Sequence, residues 1–209
     1  MPAASAPGAW RIGLAGLALA LLASACAGPQ RLAALADAPL ADHPRVALLT
    51  LENLSGAPDA GESMTRLLGT EIVARGLCDL VDIGQVQGTL RRLRVRNTAV
   101  LTLDQLHSLG DSLGVRFILT GSLLEHGTIS TEDGPIPTVA ATLKLIEAAS
   151  GRVVWAKSLS LTGKDRETVF GYGREIDAGR LDGRLVDGML LDFKRLTVAL
   201  PAKGRGGKQ

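Results

Sequence analysis

A charge-free apolar run near the N-terminus, Ile12–Leu22, constrains the organisation of this chain more than any other feature. It follows Arg11 and precedes the small residues Ala23–Ala25. A basic residue, a short apolar stretch and small residues, in that order, are typical of a secretory signal peptide and its cleavage site. The run is shorter than the roughly 17–25 residues that a transmembrane helix needs. We therefore expect residues 1–25 to be removed, so that the residues after this cleavage site form the fold.

Cys26 comes directly after these small residues. The sequence LASAC (residues 22–26) resembles the lipobox of bacterial lipoproteins, which implies that the Cys26 thiol is acylated and becomes the mature N-terminus. Two or more acyl chains anchor a protein stably to a bilayer, whereas one chain holds it weakly. Ala27 stands where an Asp would resemble an inner-membrane retention signal, so we expect the periplasmic side of the outer membrane. The alternative is an ordinary secretory signal in which Cys26 has no special role.

The charge balance and composition argue against several classes of function. The chain of 209 residues carries 23 Lys and Arg against 21 Asp and Glu, and the signal peptide removes only Arg11 from this count. A nearly neutral exported protein is not expected to bind nucleic acid, whose recognition relies on a basic surface. Aromatic residues make up 3% of the chain, which disfavours carbohydrate sites and base-stacking surfaces built from flat rings.

Composition and apolar periodicity divide the mature chain into three parts. Residues 26–44 hold the lipidated cysteine and an Ala/Pro-rich flexible tether, and residues 197–209 form a basic, Gly-rich tail that we expect to be disordered. Residues 45–196 show strand and helix periods in the order β-α-β-α-α-β-β-β-α. This order predicts an α/β domain, a mixed β-sheet with helices packed on it.

Local signals mark the ends of several predicted elements. Helix starts are predicted where a capping residue precedes Glu or Gln by three positions, at Asp59 with Glu62, Asp82 with Gln85, and Thr102 with Gln105. His126–Pro137 contains glycine and two prolines and is predicted to be a polar loop. The last helix, near 175–196, contains Gly179, Gly183 and Gly188, which indicate either close packing or a weak helix.

No catalytic or metal-binding spacing is found in the sequence. The histidines His43, His107 and His126 are predicted to be surface or half-buried residues, since no H-x-x-x-H or Cys/His pairing occurs. Ser122 lies in a predicted strand and lacks the G-x-S-x-G pattern of a nucleophile elbow. Cys78 is interpreted as a small core residue. We therefore expect a non-enzyme without cofactor or metal.

Three other charged or glycine-containing segments are possible sites. Gly171–Arg174 is interpreted as a turn, since no GK[ST] follows it. Glu132 and Asp133 are expected at a solvated tip. The basic run Arg91–Arg96 is either a solvated helix face or a surface that contacts anionic lipid, lipopolysaccharide phosphates or an acidic partner.

Three segments carry a resemblance to a family. They are RVALLTLENLSG (45–56), FILTGSL (117–123) and SGRVVWAKSLS (150–160), and together they resemble the CsgG-like superfamily of envelope lipoproteins. That superfamily includes the curli secretion channel, LpoB-like activators of penicillin-binding proteins and FlgO-like flagellar lipoproteins. The resemblance covers nearly all of residues 45–195, and its motifs are signatures of a fold and encode no chemistry.

The resemblance to the channel implies two membrane-spanning hairpins per subunit, each strand with about 9–11 residues of alternating pattern. The candidate positions here are Arg94–Leu101 and Glu125–Pro137, and neither is long enough for such a hairpin. The second is polar and contains two prolines, which is incompatible with a lipid-facing surface. We therefore expect that this chain lacks the pore hairpins.

Together these features predict a non-catalytic outer-membrane lipoprotein that acts as a subunit or accessory factor in envelope assembly or secretion. Its expected partners are the outer membrane, through the lipid anchor, and an envelope protein or further copies of itself. One alternative is an LpoB-like activator of a peptidoglycan synthase, against which the short tether counts. Another is a pore-forming secretion-channel subunit. An enzyme would require a pocket with convergent polar groups of perturbed pKa.

Overall fold

The computed structural model describes residues 44–132, 134–168 and 172–199, the last stretch with side chains up to Phe193. The predicted signal peptide, Cys26, the tether as far as His43 and the predicted tail from residue 200 lie outside the described residues. Asp133 and Gly171 lie outside them as well.

The described residues form an α/β domain whose elements follow the predicted order, with one short strand added. The bounds are β1 (Arg45–Leu48), β2 (Glu52–Asn53), α1 (Ala60–Ala74), β3 (Asp79–Leu80), α2 (Ile83–Arg92), α3 (Leu103–Leu113), β4 (Phe117–Thr131), β5 (Gly134–Glu147), β6 (Val153–Thr162) and α4 (Ala178–Ala199).

The strands form one mixed sheet in the order β3-β1-β4-β5-β6. β1 is parallel to both β3 and β4, whereas β4, β5 and β6 are successively antiparallel. β2 continues beside β4 where β1 stops, because Leu48 pairs with Leu119 and Glu52 pairs with Ser122. Between these two pairs, the chain from β1 to β2 contains one residue more than the matching stretch of β4. β1 and β2 therefore form one strand with an interruption.

The sheet carries helices on both faces. α1 and α4 cover one face, where Phe193 packs in a cluster with Leu119 and Leu145. α2 and α3 cover part of the other face, where Leu109 packs in a second cluster with Ile118. The alternation of apolar residues along β5 predicted one buried face, and its four members are all buried in the first cluster, Val139, Ala141, Leu143 and Leu145.

Trp155 resolves which face of β6 is covered. Its ring lies 5.3 Å from the Phe193 ring, edge to face at 72°. Lys157, on the same face of the strand, reaches Asp192 of α4 with 2.5 Å between Nζ and Oδ2. The face of β6 that packs on α4 therefore contains both an aromatic contact and an ion pair. Because this covered face carries a lysine, the sequence pattern did not decide which face of β6 is buried.

Two of the three predicted capping pairs are confirmed. Thr102 and Gln105 form a complete capping box, and the Asp82 side chain accepts a hydrogen bond from the Gln85 backbone N–H. At Asp59 the predicted helix start is confirmed, since α1 begins at Ala60, but the predicted capping bond is absent. Asp59 adopts a left-handed conformation with φ of 55° and makes no capping bond through its side chain. A residue that caps a helix through its side chain usually has an extended backbone, which Asp59 does not adopt.

The predicted loop His126–Pro137 is also wrong, because the segment is part of the β4–β5 hairpin. Pairing continues through Ile129 and Ile136 to Thr131 and Gly134. The two prolines are tolerated because the backbone of Pro137 faces away from β4, where its carbonyl accepts a hydrogen bond from the Gly163 N–H. Pro135, two residues earlier, has the same orientation, so neither missing N–H interrupts the β4 ladder.

The glycines of α4 have different roles. A Cβ at Gly188 would lie 2.5 Å from Cδ2 of Leu159, whereas nothing lies within 4 Å of a Cβ at Gly183. Close packing on β6 therefore accounts for Gly188. Gly183 has no such explanation.

Candidate functional surfaces

Cys78 is a core residue, as its sequence context predicted. Its side chain is 5% exposed and contacts the cluster beneath α1. Burial raises the pKa of the Cys78 thiol to about 12, and the neighbouring carboxylate of Asp79 adds to the rise. A thiol that stays protonated at neutral pH is a poor nucleophile and metal ligand, so Cys78 is unsuited to thiolate chemistry.

The two described histidines lie apart from each other. His107 is exposed on α3, with its Nε2 2.8 Å from the carbonyl oxygen of Ala149. His126 is half-buried on β4, with its Nε2 3.1 Å from Oδ2 of Asp182 on α4, beside a cavity of about 150 Å³. Among the described residues, no three His, Cys, Asp or Glu side chains come together as a metal site.

Ser122 bonds to a carboxylate. Its Oγ donates to Oε2 of Glu52 at 3.3 Å, while the Asn97 amide donates to Oε1 of the same side chain at 3.2 Å. A nucleophilic serine needs a base that removes its proton. Here the hydroxyl of Ser122 links β4 to Glu52 of β2, and Asn97 links the segment before α3 to the same carboxylate. Glu132, the other carboxylate considered at the hairpin tip, is exposed.

Glu147, at the end of β5, is a carboxylate whose pKa is shifted by its hydrogen-bonding and charged neighbours. It accepts hydrogen bonds from the Ser150 hydroxyl at 2.7 Å and from Arg116 at 2.9 Å, and Arg152 lies 3.7 Å away. These interactions lower the pKa of Glu147, first through Ser150 and then through Arg116. The cluster fastens the β5–β6 turn to the start of β4. Its position at a strand end indicates a structural role.

The predicted basic run forms a distinct surface feature, here called the basic segment (Arg91–Arg96). Its four arginines are all exposed. Arg91 and Arg92 occupy the last turn of α2, where positive charge complements the helix dipole. Arg94 has a positive φ of 55°, which turns the chain sharply away from the helix.

Hydrogen bonds hold the end of this segment at the carboxyl end of β1. The Thr98 hydroxyl donates to the carbonyl oxygen of Thr50 at 2.7 Å. The Thr120 hydroxyl in turn donates to the carbonyl oxygen of Thr98 at 2.5 Å. Together with the Asn97–Glu52 bond, these contacts fix the basic segment beside the start of β2, although it has no regular secondary structure beyond α2.

A further surface is formed by the last strands. On the side opposite α4, exposed Lys144 of β5 lies in register with exposed Ala156 of β6, followed by exposed Ser158 and Ser160. Within the described ranges, β6 and β3 are the outer strands of the sheet, each bonded to one neighbour. Sequence periodicity did not reveal these open edges, because strand order is set by long-range pairing.

Two exposed apolar side chains near the basic segment were also missed. Val100 is 75% exposed and Leu54 is 56% exposed. Val100 lies in the turn that begins at Asn97, and Leu54 lies in the turn that begins at Asn53. The side-chain oxygen of each asparagine accepts a hydrogen bond from a backbone N–H of its turn. The exposure of these two side chains could have been predicted from the sequence, because an aliphatic residue close to a turn-forming asparagine usually lies at the surface.

Comparison with solved structures reveals proteins of the same fold. The PelC dodecamer from Paraburkholderia phytofirmans aligns with a TM-score of 0.50 at 21% identity, over 73% of this chain and 88% of that one. Lipoprotein GNA1162 from Neisseria meningitidis aligns with a TM-score of 0.53 at 18% identity, over 73% of this chain and 99% of that one. The hypothetical protein CT253 from Chlamydia trachomatis aligns with a TM-score of 0.53 at 11% identity, over 76% and 99%.

These likenesses establish the fold. No protein-family model matches the sequence, and no curated protein is similar to it. Within the described part of the chain, no helix combines the length and apolar character required to cross a bilayer. The domain thus has an α/β fold found in proteins that include a bacterial lipoprotein.

Proposed function

We propose that this protein is a lipid-anchored, non-catalytic component of a bacterial cell envelope. It would be held through acylated Cys26 on the periplasmic side of the outer membrane, and it would serve envelope assembly or secretion as a subunit or accessory factor. The single observation that carries the proposal is the sequence LASAC (residues 22–26) after an apolar run, ahead of an α/β domain. The fold shared with lipoprotein GNA1162 supports it.

The mechanism that we propose is tethering. A flexible chain over residues 27–44 has an average span of about 23 Å, so the domain would stay in a thin layer next to the bilayer. Confinement of this kind raises the effective concentration of the domain for partners in the same layer without any new contact. The role proposed here is without catalysis, since the Cys78 thiol is buried with a raised pKa and the Ser122 hydroxyl bonds to a carboxylate that Asn97 also binds.

The partner that we favour first is another copy of this chain. Both outer strands of the described sheet, β3 and β6, have an open edge, and an edge strand is a ready site for pairing with another chain. Contact between the two different edges would be head-to-tail, which produces rings when the rotation closes. The fold shared with the PelC dodecamer is consistent with such an assembly. Light scattering of the detergent-solubilised protein tests this, and a monomer would point to a different envelope protein as the partner.

The anchor is tested by replacing the acylated thiol. We expect Cys26→Ser to move the protein from the membrane fraction to the soluble periplasm, because it removes the atom that carries the acyl chains. The matched control is Cys78→Ala, which removes the only other thiol of the chain and should leave the protein in the membrane fraction. Membrane retention of Cys26→Ser would contradict the proposed anchor.

A further inference from the structure

The basic segment groups several exposed arginines that make no ion pair with any described residue. Within the described ranges, Arg91, Arg94 and Arg96 make no side-chain hydrogen bond or ion pair. Three exposed arginines elsewhere each lie within 4 Å of a carboxylate oxygen, namely Arg66 with Glu62, Arg152 with Glu147 and Arg180 with Asp177. In the described part of the chain, exposed Arg45 and Arg166 also lack such a partner, but each is a single arginine, whereas the basic segment groups three. Three unneutralised guanidinium groups within six consecutive residues create a local positive field on a chain that is nearly neutral as a whole.

Aliphatic side chains lie exposed beside this charge. Val100 is four residues beyond Arg96, and Leu54 is two residues beyond Glu52, to which Asn97 is bonded at 3.2 Å. The hydrogen bond from Thr98 to Thr50 fixes the same end of the segment. These bonds bring the chain that follows the basic segment, with Val100, beside the chain around β2, with Leu54, at the carboxyl end of β1.

This combination fits the interface of an anionic bilayer. Guanidinium groups bind phosphate oxygens with paired, charge-assisted hydrogen bonds. Aliphatic side chains gain by entering the boundary between headgroups and acyl chains. The Trp and Tyr anchors that are frequent in protein interfaces do not occur between Arg91 and Val100, and the vesicle experiment below includes an acidic polypeptide as the competing partner.

The tether would allow this contact. Chain entry at Arg45 and the docking side near Thr50 are separated by about 17 Å of extended strand. A flexible tether over residues 27–44, as proposed above, would span about 23 Å on average. The anchored domain can therefore turn the carboxyl ends of its strands to the bilayer. The docking rests on the proposed anchor in one respect, that the tether keeps the domain within this distance of the membrane.

We propose that the basic segment, with Val100 and Leu54, docks on the phosphate-bearing headgroups of the bilayer to which the chain is anchored. The domain would then lie against the membrane in one orientation, and its opposite side would face the periplasm. The acyl chains would supply attachment, and the arginines would supply orientation.

Vesicle binding by the Cys26→Ser protein, purified from the soluble fraction, tests the docking without any acyl chain. We expect it to sediment with vesicles of phosphatidylcholine mixed with phosphatidylglycerol and to ignore phosphatidylcholine alone. The triple variant R91Q/R94Q/R96Q should partition about 100-fold more weakly, since each arginine near an anionic surface contributes about fivefold. V100S/L54S should weaken binding by about tenfold.

The matched control is R66Q/R152Q/R180Q, which changes the net charge by the same amount at paired arginines. It should bind within a few-fold of the parent, and circular dichroism melts should show that all variants fold. Equal losses in both triple variants, or no preference for phosphatidylglycerol, would overturn the docking. Displacement by polyglutamate or by inorganic phosphate at equal charge would also overturn it, in favour of an acidic polypeptide or a free anion. Since no acyl chain is present, none of these results depends on whether Cys26 is lipidated.

Discussion

Replacement of Gly121 by alanine gives a sharp test of the sheet, because β4 and β5 approach each other closely at this residue. A Cβ there would lie 2.0 Å from the carbonyl oxygen of Thr142 and 3.1 Å from Cα of Leu143. Ordinary contact requires more than about 3 Å, so β5 must move away by about 1 Å or more. Gly127, in the same strand, has nothing within 4 Å of a Cβ and serves as the matched control.

The expected cost is set by the contacts that this movement breaks. About two ladder hydrogen bonds would be lost or strained at roughly 1 kcal/mol each, and looser packing of the buried cluster adds a similar amount. We therefore expect Gly121→Ala to lower the free energy of unfolding by about 3 kcal/mol, which corresponds to a fall in Tm of roughly 6–12 °C. Gly127→Ala should leave stability unchanged or raise it by up to about 1 kcal/mol.

Urea unfolding followed by tryptophan fluorescence measures both variants. Trp155 is the only tryptophan beyond the predicted signal peptide, and it lies against Phe193 in the core. The reasoning would be refuted if Gly121→Ala remained within about 1 kcal/mol of the parent, or if Gly127→Ala were destabilised as strongly. The first result would mean that β4 and β5 are farther apart at Gly121 than described, and the second that Gly127 is crowded rather than open.

Three further predictions concern α4, the buried thiol and the Glu147 cluster. Gly183→Ala should raise the free energy of unfolding by roughly 1 kcal/mol through helix propensity. Gly188→Ala should be at least about 1 kcal/mol less stable than Gly183→Ala because Leu159 must move. Equal melting temperatures of the two variants would contradict the packing difference. The thiol of Cys78, with a pKa raised to about 12 by burial, should react with iodoacetamide at pH 8 much more slowly in the native Cys26→Ser protein than in urea, and equal rates would place it outside the core. The pKa of Glu147 is lowered by its hydroxyl and guanidinium neighbours, so the stabilisation that its carboxylate gives is present above the unfolded-state pKa near 4.5 and is lost as pH falls through the folded-state value. The free energies of unfolding of Glu147→Gln and the parent, measured with urea, should therefore converge in that acidic range. A difference that stays constant with pH would argue against the cluster.

Local periodicity predicted much of the fold. The alternation Val139, Ala141, Leu143 and Leu145 identified a buried face, because a strand with one covered side requires this pattern. The capping box of Thr102 and Gln105 identified a helix start, since the sequence of the box determines its own hydrogen bonds. Such features depend on neighbours within a few residues, which is why sequence alone sufficed.

Errors arose where distant pairing overrode local chemistry. Pro135 and Pro137 indicated a loop, yet both face away from β4 and the hairpin continues past them. Asp59 had the spacing of a capping box, but its backbone is left-handed and its side chain makes no capping bond. The basic segment was recognised from its charge, whereas its position beside Thr50 depends on contacts across about 48 residues. No local pattern records such a contact.

The central claim, that acyl chains fix where this domain works, is tested most directly by the intact mass of the protein extracted from native membranes. We predict a chain that begins at Cys26 and carries the added mass of two or more fatty acyl groups. A mature protein with an unmodified Cys26, or with an N-terminus elsewhere, would contradict the claim.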